Sequence, residues 1–526
     1  MLKRTAGTTA GGTTRCAPAT GASLDGHGLD VATVAGIADG ALPPAVRPAA
    51  LEAMERTRRA ARGLAEEGAR VYGRSTGVGA HRGVTVEERD GAGHDLRLLL
   101  SHAGGLGDPL PVRQVRAMMV VRTNQLLAGG SGLRPGIAVA LAHALRAGAH
   151  PLVNEYGSVG TGDLTALAQL GLALFGHGTW QRDGTGGEEP FPERLEIQRG
   201  DALALLSSNA LTLGQSALVC HDLGGLLRAA HTVAALSLLA IDGSLEAYAP
   251  EVHRAHPHPA IGRAAARMRG LLVPGGPEQW LTAVAEQPVP LVPRVQDPFG
   301  FRCFPQVHGP ATEAWAGLER VLSIELNSAT ENPLIGWDEP TGVPVAHHHG
   351  GFFATPLTLA LDQLGLAVLG TARLSAARLS GLGRPELTGL RSYLADDASA
   401  GSGMMILEYS AAAALAEIQA CANPAALGHV VLSQGLEEAA SFAAQAARKS
   451  LRLAQAYRLV LGCELVAAVR ALRQRGTVPV PGTPAGRAYA RAAAVLDPAM
   501  EDRPLTDDVT DAAALLDEFA ELAAGC

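Results

Sequence analysis

Cysteine is sparse and scattered: Cys16, Cys220, Cys303, Cys421, Cys463 and Cys526 form no C-x-x-C pair, which argues against a zinc ribbon and a disulfide framework. That usage fits a reducing cytoplasm. Basic excess is also missing, with 43 Lys and Arg against 51 Asp and Glu and a net charge of −8. No basic run with interleaved aromatics is present to neutralise a phosphate backbone, so a nucleic-acid partner is not expected. Met1-Leu2-Lys3-Arg4 is followed by Gly, Thr and Ala rather than an apolar segment, so secretion is not indicated. The sequence shows no uninterrupted apolar stretch of membrane-spanning length, and no membrane association is expected. Also absent are a phosphate-binding Gly-Lys loop, a dinucleotide fingerprint and a G-x-S-x-G elbow. Aromatic residues are only 4% of the 526, while alanine and leucine dominate a composition that is 47% hydrophobic and 18% charged. Ala and Leu lose little rotamer freedom in a helix, so this balance predicts an all-α protein long enough for a large core.

Periodicity organises the chain. Residues 1–23 are small and polar without a period and read as a mobile tail. Residues 24–210 form an N-terminal active-site portion of loops and helices, with helical spacing over Leu51 to Ala69 and from Val112 to Leu127. Residues 211–476 read as a long central helical bundle, and 477–526 as a C-terminal helical appendage beyond the Pro-rich Thr477 to Pro484. Within the bundle, Gly224 to Ala240, Thr358 to Leu379 and Glu437 to Arg473 are helical, the last without proline. Leu461, Leu465, Val469 and Leu472 recur there at four, four and three, which places one stripe against a partner helix. The Gly/Pro-rich stretch from Gly178 to Pro192 reads as a loop.

Five short motifs follow one another in order. They are Tyr72-Gly73-Arg74-Ser75-Thr76-Gly77-Val78-Gly79, Leu100-Ser101-His102-Ala103-Gly104-Gly105, Gly157-Ser158-Val159-Gly160-Thr161-Gly162-Asp163-Leu164, Val295-Gln296-Asp297-Pro298-Phe299-Gly300-Phe301-Arg302-Cys303, and Asn327-Ser328-Ala329-Thr330-Glu331-Asn332-Pro333-Leu334. By composition alone the third is a small-residue turn opening into an apolar helix, with Asp163 near the positive end of the dipole. Together the motifs resemble those of the aromatic amino acid ammonia-lyases and their aminomutase relatives, from about Leu51 to about Arg473. The resemblance implies a helical homotetramer whose active sites combine loops from more than one subunit, acting on a histidine-like or aromatic α-amino acid.

The chemistry requires a base for a β-proton that is barely acidic and an electrophile that turns the ammonium into a better leaving group. The resemblance assigns the base to Tyr72. A tyrosine, with an ordinary pKa of about 10, needs positive charge and hydrogen bonds to serve near neutrality. Arg302 matches the fork onto the substrate carboxylate, for which a planar guanidinium is suited. Gln296 matches a carboxylate or amine contact, Glu417 a glutamate near the polar groups, and His102 and Phe352 positions beside the substrate. The family's electrophile is a methylidene-imidazolone cyclised from an Ala-Ser-Gly triad. Here Gly160, Thr161 and Gly162 stand in its place in a motif one residue shorter, Ser207 stands where a cofactor-binding asparagine is usual unless Asn209 replaces it, and Phe299 replaces a tyrosine. No cofactor is therefore assigned. Three readings stay open: the family's ammonia-lyase, a cofactor-free enzyme on the same scaffold performing another elimination, addition or condensation, and a non-catalytic homologue. His347-His348-His349 is the one histidine run with ligand potential, but adjacent side chains rarely converge on one ion, and no metal is expected.

Overall fold

The computed structural model describes residues 21–87, 90–184, 190–273, 275, 277–287, 290–396 and 400–524. Of the expected tail, residues 1–20 lie outside these. Ala22–Leu24 form a short strand paired in parallel with Pro44–Val46. Among the described residues, strands are otherwise confined to small antiparallel pairs such as Leu334–Asp338 with Val343–His347, and the architecture is all-α.

The helices that position the site are α1 (Pro48–Glu66), α2 (Val112–Ala128), α3 (Leu164–Leu174), α4 (Ala210–Ala240), α5 (Phe304–Glu325), α6 (Thr355–Leu382), α7 (Met405–Cys421), α8 (Ala443–Arg475) and α9 (Thr506–Ala524). Helix α4 is apolar on nearly every face because it is surrounded, packing on α2, α5, α8 and α9. Gly214 permits its approach to α2, since a Cβ there would lie 2.7 Å from the Met118 amide nitrogen. The stripe Leu461, Leu465, Val469 and Leu472 of α8 is buried as its spacing predicts. The C-terminal α9 packs on α4 and α8 and contributes Leu516 and Phe519 to the same core.

Among the described residues, two helical stretches, Asp201–Ala240 and Thr355–Leu382, are long and apolar enough to cross a membrane, contrary to the expectation from the sequence. The apolar window of the first is 83% buried inside the fold, as a bundle's core helix must be.

At the bundle centre, Glu464 of α8 accepts two bonds from Arg378 of α6, Nε to Oε1 at 2.6 Å and Nη2 to Oε2 at 2.8 Å. Ser237 and Ser375 add hydroxyl donors at 2.6 and 2.5 Å. Four donors on one carboxylate compensate its desolvation, whereas removal of one partner would leave a buried charge unpaired.

Candidate active site

Four helix N-termini, those of α3, α4, α6 and α8, meet around the turn from Gly157 to Asp163. Asp163, just before α3, accepts from the Thr212 amide at 2.7 Å and the Thr212 hydroxyl at 2.9 Å, which ties α3 to α4. Burial pushes its carboxyl above the usual range, against those hydrogen bonds. Asn209, just before α4, accepts from the Gly162 amide at 3.1 Å and donates to the Phe352 carbonyl at 2.6 Å. Ser441, just before α8, donates to the Gly160 carbonyl at 2.8 Å, and its own carbonyl accepts from Thr358 of α6 at 2.8 Å. The Phe442 amide donates to the Val159 carbonyl at 2.9 Å. Gly160 has φ +87°, and a Cβ there would lie 2.2 Å from Ser441 Oγ, so the turn requires glycine at that position. Converging helix N-termini direct partial positive charge at this turn.

Beside the turn lies a cavity of about 650 Å³ whose lining includes Tyr72, Thr161, His348, Phe352, Glu437 and Glu438. The Tyr72 hydroxyl accepts from the Gly79 amide at 2.8 Å, and the Tyr72 amide donates to His348 Nε2 at 3.3 Å. The next amide, that of Ala80, donates to Ser433 Oγ at 3.2 Å, so the Tyr72 loop is pinned to the segment carrying the two glutamates. That segment holds Ser433 and Gln434 at φ +53° and +56°. Non-glycine residues in the left-handed region store local strain, which surrounding contacts must support.

The sequence-predicted residues divide between this cavity and other places. Tyr72, Thr161, Gly162 and Phe352 line it, and Gly160 is buried directly behind the turn. Ser207 lines it too and accepts from the Asn332 amide at 2.8 Å, while Asn209 is the residue that holds the turn. His102 lines a different hollow, of about 900 Å³, with Gly77, Val78, His81 and His94, and its Nδ1 lies 2.9 Å from the Leu98 carbonyl. Gln296 is exposed, and Arg302 stacks at 4.5 Å over the Phe299 ring with its Nε buried and unpartnered among the described residues. Glu417 is exposed on α7, where it accepts from Cys421 Sγ at 3.5 Å. A single chain thus does not bring His102, Gln296, Arg302 or Glu417 to the Tyr72 cavity. The histidine run is divided as well: His348 serves Tyr72, whereas His349 contacts the Glu331 carbonyl at 2.8 Å and accepts from the Gly351 amide at 2.9 Å.

Glu437 and Glu438 escaped the sequence reading because the proline-free run from Glu437 to Arg473 reads as continuous helix. Helix α8 instead begins at Ala443, since Ser441 and Phe442 turn aside to bond the Val159 and Gly160 carbonyls, with Phe442 at φ +56°.

The model of a family described as aromatic amino acid lyase matches residues 29–494. Histidine ammonia-lyase of Anaeromyxobacter dehalogenans is 34% identical over 512 residues, 94% of this chain and 98% of that protein. Histidine ammonia-lyase of Geobacillus thermodenitrificans is 32% identical over 496 residues, 92% of this chain and 95% of that one. Among solved structures, tyrosine aminomutase from Streptomyces globisporus superposes with a TM-score of 0.85 at 26% identity, over 96% of this chain and 99% of that one. Ergothionase from Treponema denticola shares the fold, with a TM-score of 0.84 at 24% identity over 95% and 99%.

Proposed function

The chain belongs to the aromatic amino acid lyase family and is a carbon–nitrogen lyase, and from that premise we propose that it removes the amino group of a histidine-like or aromatic α-amino acid, with Tyr72 taking the β-proton. The observation that carries this reading is the cavity itself, where Tyr72 and the Thr161–Gly162 turn share one space of about 650 Å³. The Gly79 amide fixes the phenol oxygen at the cavity wall, and the helix N-termini supply a positive field without a mobile cation. Glu437 and Glu438 are the carboxylates that meet the substrate's ammonium group in this cavity.

Gln296, Arg302 and Glu417 act, in this reading, from neighbouring copies in a homotetramer. That they do not line the single-chain cavity supports it, as do the apolar residues exposed on α6 and α7, among them Leu359, Leu366, Ile406 at 57% and Tyr409 at 67% exposure. The orphaned Nε of Arg302 is a further sign of a site completed from outside the chain. The free thiols Cys220, Cys303, Cys421 and Cys463 suit a cytoplasmic setting.

The residues of the turn do not fit a methylidene-imidazolone. The serine nearest the triad position, Ser158, donates to the Gly162 carbonyl at 3.2 Å and accepts from the Gly160 amide at 3.2 Å, which holds it outside the Gly160-Thr161-Gly162 stretch. Dehydration of Thr161 would leave an ethylidene, whose extra methyl hinders attack. Without that electrophile, elimination favours a substrate that brings its own activation, either a more acidic β-proton or a better leaving group. The intact mass of the purified protein tests this. A mass equal to that of the sequence is expected, and a deficit of two waters in the peptide holding Thr161 would overturn the cofactor-free reading and restore ordinary amino acids as substrates.

A further inference from the structure

The turn that carries Tyr72 has a second face. Val71, Arg74 and Ser75 line a separate cavity of about 460 Å³, bounded by α1 and by loop residues including Gly132 and Gln198. Among the described residues, five arginines line it, Arg58, Arg62, Arg74, Arg134 and Arg199, against one lining acid, Asp201. Four of them are held in place: Arg74 donates to the Ser131 carbonyl at 2.6 Å, Arg58 donates to Gln198 Oε1 at 3.3 Å, Arg134 pairs with Asp201 at 3.2 Å, and Arg199 Nε donates to the Arg74 carbonyl at 3.4 Å. The Nε of Arg134 is nonetheless buried without a hydrogen-bond partner among the described residues.

Like charges do not gather around a concave space without cost, and a cleft lined by one sign of charge with low-dielectric walls concentrates the opposite ion. Guanidinium forks match the geometry of phosphate and carboxylate, and forks already held by other bonds lose less freedom on binding. The walls also include Ala61, Ala65 and Val71, so the space admits a small organic body as well as its charges. We propose that this cavity binds a small oxyanionic ligand carrying two or more negative charges, and that its occupancy braces the Tyr72 turn from behind. Arg74 lies two residues from Tyr72. The turn is stiffened internally by Ser75 Oγ, which accepts from the Val71 amide at 2.8 Å and donates to the Ala69 carbonyl at 3.0 Å, so a ligand drawing on Arg74 acts on the backbone that aims the phenol.

Calorimetric titration of the full chain with pyrophosphate and with citrate, each at ionic strength matched by sodium chloride, tests the site. One saturable site per chain is expected for at least one probe, weakened at least tenfold in Arg58→Gln/Arg62→Gln, which changes only partly or fully exposed positions. Tighter pyrophosphate binding identifies a phosphate ligand, and tighter citrate binding a carboxylate one. Ala65→Phe, which fills the cavity from the exposed side of α1, should abolish binding should the double variant fold poorly. Absence of saturable binding to either probe, or unchanged affinity in the variants, overturns the site. The bracing is read separately as slower hydrogen exchange of the Gly79 amide in the presence of the bound probe, and unchanged exchange with binding intact overturns that half. Neither readout depends on turnover, so failure here is distinguishable from failure of the role given to Tyr72.

Discussion

The bundle centre and the Tyr72 cavity are built from the same long helices, yet they treat polar groups in opposite ways. Near the C-terminal ends of α4 and α6, against the interior of α8, Arg378, Glu464, Ser237 and Ser375 are buried and bonded together, and Arg378 Nη1 donates to the Gly300 carbonyl at 3.0 Å. At the N-terminal ends of α4, α6 and α8, Glu437, Glu438, His348 and Tyr72 face open space, and the backbone adopts left-handed conformations at Ser433, Gln434 and Phe442. A helix interior satisfies its own amides, whereas its first turn leaves amides free. Sites for charged ligands therefore collect at helix N-termini, and the buried cluster, whose groups are bonded within the fold, supplies rigidity.

The sharpest separation of the two regions is Tyr72→Phe. At least a hundredfold loss of turnover with an unchanged melting temperature is expected, the scale of losing a general base, and retained activity would remove Tyr72 from that role. Glu464→Gln should do the reverse at the centre, destabilising the fold by about 3–5 kcal/mol by leaving Arg378 uncompensated. Denaturant unfolding measures this, and Arg378→Met/Glu464→Leu should recover much of the loss.

Two glycines of the turn refine the comparison. Gly160→Ala places a Cβ 2.2 Å from Ser441 Oγ at φ +87° and should cost about 1–3 kcal/mol. Gly162→Ala, whose nearest neighbour would be 3.6 Å away, meets only the strain of φ +109° and should cost less by thermal melting.

The smallest effect per step is a pH dependence. Burial between α4, α5 and α6 lowers the His308 pKa to about 3. The unfolded chain therefore takes up this proton first, near the ordinary histidine pKa of about 6.5. Its contribution is fully present above that value and fades as pH falls toward 3, by up to about 1.4 kcal/mol per pH unit. Melting curves of wild type and His308→Gln from pH 7 to 4 should converge as the pH falls, and parallel curves would contradict the assignment.

Much of the fold was legible because helix periodicity is a local property. The stripe in α8, the extent of α2, the later part of α4 from Gly224 to Ala240 and the ordered motifs around Tyr72 and Gly160 could all be read directly, whereas the start of α4 at Ala210 could not. Glu437 and Glu438 could not, because nothing local interrupts their helical run. It is broken by the Val159 and Gly160 carbonyls, some 280 residues away in sequence, which capture Phe442 and Ser441. Likewise Glu417 sits on a helix with the right composition, but α7 turns that face outward.

The amino-acid sequence by itself determined the all-α class, the family and the replacement of an Ala-Ser-Gly triad by Gly160-Thr161-Gly162, since these depend on residue identity and short spacing. Tertiary structure alone decided which side chains share a cavity and which arginines surround another. Those groupings arise where helix ends and loops far apart in the chain converge, and long-range packing, not local propensity, sets where they meet.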